Sequence, residues 1–127
     1  MFRFAVMGAG GIARRFCKTV NAMPDCTLCA VSSKSAQRAQ ELAKEAGVPH
    51  FYADYEEMLQ KEKPDAVYIA VTPHDHFRLS MLCLQYQTPV LCEKAMFRNS
   101  EEAKTVFDLS EKSGVFTMEA LWSRFLP

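Results

Sequence analysis

"RFAVMGAGGIARRF", residues 3–16, runs an apolar segment straight into a turn of Gly8, Ala9, Gly10, Gly11 and Ala13 in which only Ile12 is bulky. "FRFAVM" (2–7) reads as a short β-rich strand. Beyond the turn, Ile12, Phe16 and Val20 recur at steps of four, the apolar stripe of a helix over 11–22. A strand that ends in small residues and reopens as a helix gathers bare backbone N–H groups and the positive end of the helix dipole at one spot. A large anion is the natural occupant of such a spot.

The rest of the chain supplies a context. Pro24-Asp25 ends the first helix, and "CTLCAVS" (26–32) is a second strand. Residues 35–46 place Ala36, Ala39, Leu42, Ala43 and Ala46 on one helical face, stopped by Gly47 and Pro49. "HFY" (50–52) is a short third strand. "DYEE" (54–57) has the spacing of a capping box and opens a helix to about Lys61. "AVYIAV" (66–71) is a nearly continuous apolar run, as expected of a parallel strand covered on both faces. A helix over 76–86, a strand "PVLCE" (89–93), a helix opened by "NSEE" (99–102) and closed at Gly114, and a strand "VFTME" (115–119) complete the series. This β/α alternation with short connections predicts an α/β fold: a Rossmann-type, doubly wound parallel sheet of about six strands with helices on both faces. The 127 residues suffice for one such domain with a real core.

Within that frame, Gly8-x-Gly10-x-x-Ala13 lies where a dinucleotide fingerprint belongs, between strand one and helix one. Gly8 permits the tight turn, Gly10 the close approach of a pyrophosphate, and Ala13 close helix–strand packing. The N–H groups of Gly11 and Ile12 at the helix start face the phosphates. A site that prefers NAD usually carries Asp or Glu at the end of strand two for the ribose 2′-hydroxyl. Here that strand runs into "SSKSAQR", with Ser33, Lys34 and Arg38 and no acid. A hydroxyl and two cations suit a 2′-phosphate, so NADP is the expected cofactor and NAD the lesser one. Two charge-assisted hydrogen bonds of about 1.5–3 kcal/mol each favour NADP by roughly a hundredfold or more.

Composition excludes several other classes. Fifteen basic and fifteen acidic residues cancel, so no basic excess points to nucleic acid or an anionic membrane. No apolar run nears the ~20 residues of a membrane span, and Arg14-Arg15 follow the N-terminal apolar run, the reverse of a signal peptide. The expectation is a cytoplasmic protein. Five cysteines, an odd number, argue against a disulfide framework. "CTLC" (26–29) has the spacing of a metal or redox pair, but on a strand its two thiols point to opposite faces. His74, Asp75 and His76 likewise lack a supporting ligand cluster; Asp75 is expected to cap a helix, and no metal is expected.

Farther along, "PDAVYIAVTP" (64–73), "LCEKAM" (91–96) and "MEALWSRF" (118–125), together with the glycine turn, resemble the Gfo/Idh/MocA oxidoreductases over the whole chain. "MEALWSRFLP" is most similar to the branch of dimeric dihydrodiol dehydrogenases and NADP-linked D-xylose dehydrogenases. The resemblance implies an NAD(P)-dependent dehydrogenase that transfers hydride between nicotinamide and a carbinol carbon of a sugar, polyol or trans-dihydrodiol. Lys94 would be its catalytic residue, assisting proton transfer as hydride leaves, with Glu93 holding the ring or orienting the lysine. Thr72 and Pro73 match the Thr-Pro near the pyrophosphate and nicotinamide ribose. His76 matches the histidine that begins the following helix. Trp122 and Arg124 match the Trp-x-Arg segment bordering nicotinamide and substrate.

Two features temper the expectation of activity. Ala95 replaces the proline of the family's Glu-Lys-Pro, freeing φ beside Lys94. The chain also reaches Pro127 where the family's second domain begins, the part that brings a His or Tyr acid/base, most of the substrate pocket and a homo-oligomer interface. By itself, residues 1–127 would bind dinucleotide and turn over little. The alternative is a non-catalytic dinucleotide-binding regulatory protein.

Overall fold

The computed structural model describes residues 1–94 and 96–120. Strands β1 (Phe2–Met7), β2 (Cys26–Ser32), β3 (His50–Tyr52), β4 (Ala66–Ile69), β5 (Val90–Glu93) and β6 (Thr117–Ala120) alternate with helices α1 (Gly11–Asn21), α2 (Ala36–Ala46), α3 (Tyr55–Glu62), α4 (Pro73–Gln85) and α5 (Ser100–Ser113). The strands form one parallel sheet in the order β3-β2-β1-β4-β5-β6. The two halves of the chain wind outward from β1 and β4, and the order reverses between them. This is the Rossmann arrangement that the sequence predicts, and its crevice opens at that reversal.

The apolar strands are continuous because both faces are covered. On one face Val6, Leu28 and Val31 pack with Ala13, Cys17 and Val20 of α1 and Leu42 and Ala43 of α2. On the other, Met7, Val67 and Ile69 pack with Met58 and Leu59 of α3 and Leu79 and Cys83 of α4. Burying each such large side chain contributes about 1.5–3 kcal/mol. Helix α5 reaches the body through α4, where Val106 meets Leu84 and Val115. The α1 side of the β4–β6 half carries a groove of about 650 Å³, walled by Phe4, Phe16, Tyr68, Leu91 and Met118.

The caps expected at Asp54 and Asn99 are found, and Ser35 caps α2 as well. Ser35, Asp54 and Asn99 each accept from the amide three residues on, at 3.3, 3.0 and 2.9 Å. Several boundaries move. The inward line of α1 is Ala13–Cys17–Val20, with Phe16 flanking and Ile12 exposed. Ala13, at the turn end of that line, is small enough to let α1 approach β1 closely, and the bulky Ile12 turns outward. Helix α4 begins at Pro73 rather than 76, because proline's fixed φ suits the first helical position. Asp75 therefore lies inside the first turn and is not the cap; Thr72 holds that position without a side-chain cap bond. Strand β6 covers 117–120 instead of 115–119.

Cys29 is a bulge: Phe4 pairs with Leu28 but Ala5 with Ala30. Leu28 and Val31 consequently face α1 and α2, while Cys29 and Ala30 both face α3 and α4. Cys26 packs on the α1 and α2 side, so the two thiols of "CTLC" point to opposite faces.

Candidate dinucleotide-binding site

At the carboxyl ends of β1, β2 and β4 lies a cavity of about 490 Å³. Its floor is the turn Gly8–Ile12; its walls are Ser33, Lys34 and Arg38 on one side and Ala70–Thr72 and Asp75 on the other, with Tyr55 between. The turn is fixed from both flanking strands. Gly8 N–H donates to Ser32 C=O at 2.8 Å, and Ala70 N–H donates to Met7 C=O at 2.8 Å. Gly8 has φ +117°, and a Cβ there would land on the Ala70 carbonyl. No residue but glycine fits both conditions. Arg14 ties the turn from behind, donating to Ala9 C=O at 3.2 Å and to Glu45 at 2.9 Å.

Gly10 differs. Its φ of −89° is open to any residue, and no atom of the described residues packs within 4 Å of a Cβ built there. The space it leaves faces the start of α1, which has no side-chain cap and no acid in its first turn. This is the cradle a pyrophosphate needs: uncapped amides, a favourable dipole, and room that a methyl group would take. The residues present thus fit a dinucleotide. Ala13 is fully buried below, where it lets α1 lie close to β1.

At the β2 tip, Ser33 is buried, receives Ser35 N–H on its hydroxyl at 3.2 Å, and donates its own amide to Tyr52 C=O. Arg38 is exposed at the cavity edge, and its guanidinium has no partner among the described residues. Lys34 does have one. Its Nζ donates to Asp75 Oδ2 at 2.9 Å, and Asp75 Oδ1 accepts from Arg78 at 3.3 Å. The Lys34 ammonium, seconded by Arg78, holds the Asp75 carboxyl below the usual carboxylate range. The strand-two tip itself is free of acids, but the fold brings one in from α4. Pro73 is exposed and outside the cavity lining, beside Thr72, which is in it.

At β5 the structure separates the two members of the Glu-Lys pair. Glu93 is buried and accepts the hydroxyl of Tyr68 on neighbouring β4. Tyr68 stacks on Phe16 of α1 at 3.9 Å, and burial together with Glu93 raises its phenol well above the ordinary range. Lys94 follows directly and is exposed. The next loop is anchored at Met96, whose N–H donates to Glu119 of β6 at 2.8 Å. His76 is wholly buried behind it, with Nδ1 facing Met96 C=O at 3.2 Å and Nε2 facing Val71 C=O at 2.8 Å. The ring thus joins the end of the β4 segment to the loop that carries Lys94. Trp122 and Arg124 lie outside the described residues, as does Ala95.

Tyr55 and Asp75 line the cavity and Tyr68 holds Glu93, three placements the sequence does not announce. For Asp75 a signal existed: an acid three residues into a helix that starts at a strand tip. The profile of the Gfo/Idh/MocA family, described as an oxidoreductase family with an NAD-binding Rossmann fold, matches residues 2–121. The chain belongs to the Gfo/Idh/MocA oxidoreductase family. It is 35% identical to trans-1,2-dihydrobenzene-1,2-diol dehydrogenase of Mus musculus, over 98% of this chain and 38% of that protein. It is 36% identical to scyllo-inositol 2-dehydrogenase (NADP(+)) IolU of Bacillus subtilis, over 100% of this chain and 39% of that one. A putative myo-inositol dehydrogenase from Sinorhizobium meliloti superposes with TM-score 0.91 at 23% identity, over 100% of this chain and 38% of its own, a likeness of fold. As a Gfo/Idh/MocA chain it therefore spans well under half the length of these relatives. No described helix is long and apolar enough to cross a membrane.

Proposed function

We propose that residues 1–127 form the NADP-binding part of a cytoplasmic dehydrogenase that acts on a CH–OH group of a sugar, polyol or trans-dihydrodiol. The observation that carries this reading is the open space over Gly10 at the uncapped start of α1. Among the described residues nothing fills that space, and the uncapped amides beside it suit a pyrophosphate. Ser33, Lys34 and Arg38 at the β2 tip support a 2′-phosphate at the far end.

Bound nicotinamide supplies the acceptor or donor of hydride. The chain's own residues do the rest. The first turn of α1 holds the diphosphate through its amides and dipole. Thr72 lines the cavity opposite the pyrophosphate turn. Lys94 is exposed to substrate at the sheet edge and exchanges a proton with the reacting hydroxyl. Met96, held by Glu119 and His76, fixes the loop from which Lys94 extends. Diol and inositol dehydrogenases among the relatives support vicinal hydroxyls as the substrate class. A second domain is proposed to complete the pocket and to form the homo-oligomer contact.

Fluorescence titration with NADPH and NADH tests the reading. Saturable binding of NADPH at least about tenfold tighter than NADH supports it. Absence of binding by either coenzyme overturns it.

A further inference from the structure

Lys34 and Asp75 approach one another from opposite walls of the cavity, one following β2 and the other in the first turn of α4. Their side chains are unequally placed: Asp75 is 14% exposed, Lys34 68%. Asp75 is held from three directions. Its amide donates to Thr72 C=O at 3.0 Å, its Oδ1 accepts from Arg78, and its charge is favoured by the α4 dipole. Lys34, a long and flexible side chain, has Asp75 as its only ion-pair partner among the described residues. Nearby, Tyr55 and Arg38 line the same cavity.

We infer that Asp75 is the resident counter-ion of Lys34 and limits how strongly this site prefers a 2′-phosphorylated dinucleotide over one with a free 2′-hydroxyl. The inference rests on the dinucleotide reading above. A phosphate that reaches for Lys34 arrives beside a carboxylate that is partly buried and therefore weakly screened. Asp75 is anchored and stays. Lys34 is the mobile member, so it must either leave Asp75 or divide its three donors between two anions. NADPH meets this opposition and NADH does not. The preference set by Ser33, Lys34 and Arg38 is thereby smaller than those residues alone would give.

The test is Asp75→Asn, with Asp75→Ser as a second variant and thermal melting to confirm that each is folded. Dissociation constants are measured by titrating NADPH and NADH into the protein. Asp75→Asn is expected to tighten NADPH about tenfold, the equivalent of roughly 1.4 kcal/mol, and to move NADH by less than about twofold. In a Lys34→Ala background the same substitution should gain clearly less, about threefold, because competition for the Lys34 ammonium is gone and only the direct repulsion of phosphate by the carboxylate is relieved. An unchanged NADPH to NADH ratio in both Asp75 variants overturns the inference while leaving the dinucleotide reading intact. An equal gain with and without Lys34 overturns it too. Failure of the unmodified protein to bind either coenzyme removes the underlying reading, and this inference with it.

Discussion

Tyr68 on β4 donates its hydroxyl to Glu93 on β5, so the glutamate next to Lys94 is already committed to a neighbouring strand. The bond is buried under Phe16, and both partners depend on it. Tyr68→Phe leaves a buried carboxylate without that donor and should cost about 1–3 kcal/mol of stability. Urea denaturation checks this. Glu93→Gln keeps an acceptor in place and should cost less than Tyr68→Phe.

Gly8 and Gly10 are two residues apart and should fail differently. Gly8→Ala strains a positive φ and drives a Cβ into the Ala70 carbonyl, a loss of roughly 2–4 kcal/mol read as a lower melting temperature. Gly10→Ala meets no atom of the described residues and should leave melting within about 0.5 kcal/mol of the parent. Its effect should appear in NADPH titration instead, as a loss of about tenfold or more.

Arg38→Ala should weaken NADPH by about tenfold and NADH by less than about threefold, since one charge-assisted hydrogen bond contributes about 1.5–3 kcal/mol. A parallel loss of both coenzymes would assign Arg38 to the fold of α2.

In the intact dehydrogenase proposed above, Lys94→Met should lower kcat by about a hundredfold or more while the NADPH dissociation constant moves by less than about threefold. Stopped-flow binding and steady-state turnover, measured side by side, separate the two effects.

The thiols carry a chemical prediction. Burial pushes Cys17 and Cys29 up to about 11 and Cys92 up to about 12, and raises Cys83 as well. Cys26 is raised too, by desolvation and Asp25, but it is the one cysteine that is not buried. At pH 8, Ellman's reagent should label Cys26 first and the other four only as the protein unfolds.

The low-lying carboxyl of Asp75 gives a pH dependence with a definite sign. Its folded value is depressed by Lys34, so the stability it adds is fully present above the unfolded value near 3.9 and is lost as pH falls through the lower folded value. Asp75→Asn should be less stable than the parent at pH 7, by less than about 1 kcal/mol because Lys34 is exposed. The difference should vanish in strong acid.

Sequence reveals most where the physics is local. The turn at Gly8–Ala13, the caps at Asp54 and Asn99, and the apolar run of β4 each follow from a few adjacent residues, and each is found in the structure. Contacts made only by folding are hidden. Lys34 meets Asp75 across 41 positions, and Tyr68 meets Glu93 across 25. Neither pairing has a periodicity to betray it. The start of α4 was obscured because Thr72-Pro73 reads equally as a loop, and proline declares a first helical position only once the following turn is known. The bulge at Cys29 was hidden because register is a property of two strands.

The contact between Gly8 and Ala70 is main chain against main chain, at the one place where β1 and β4 diverge into the crevice. Substitutions along the walls can therefore alter what is gripped, but the gauge of the opening is set by peptide groups common to every sequence. A library that varies Ser33, Lys34, Arg38 and Asp75 while preserving Gly8 should yield altered coenzyme choice on an unaltered frame.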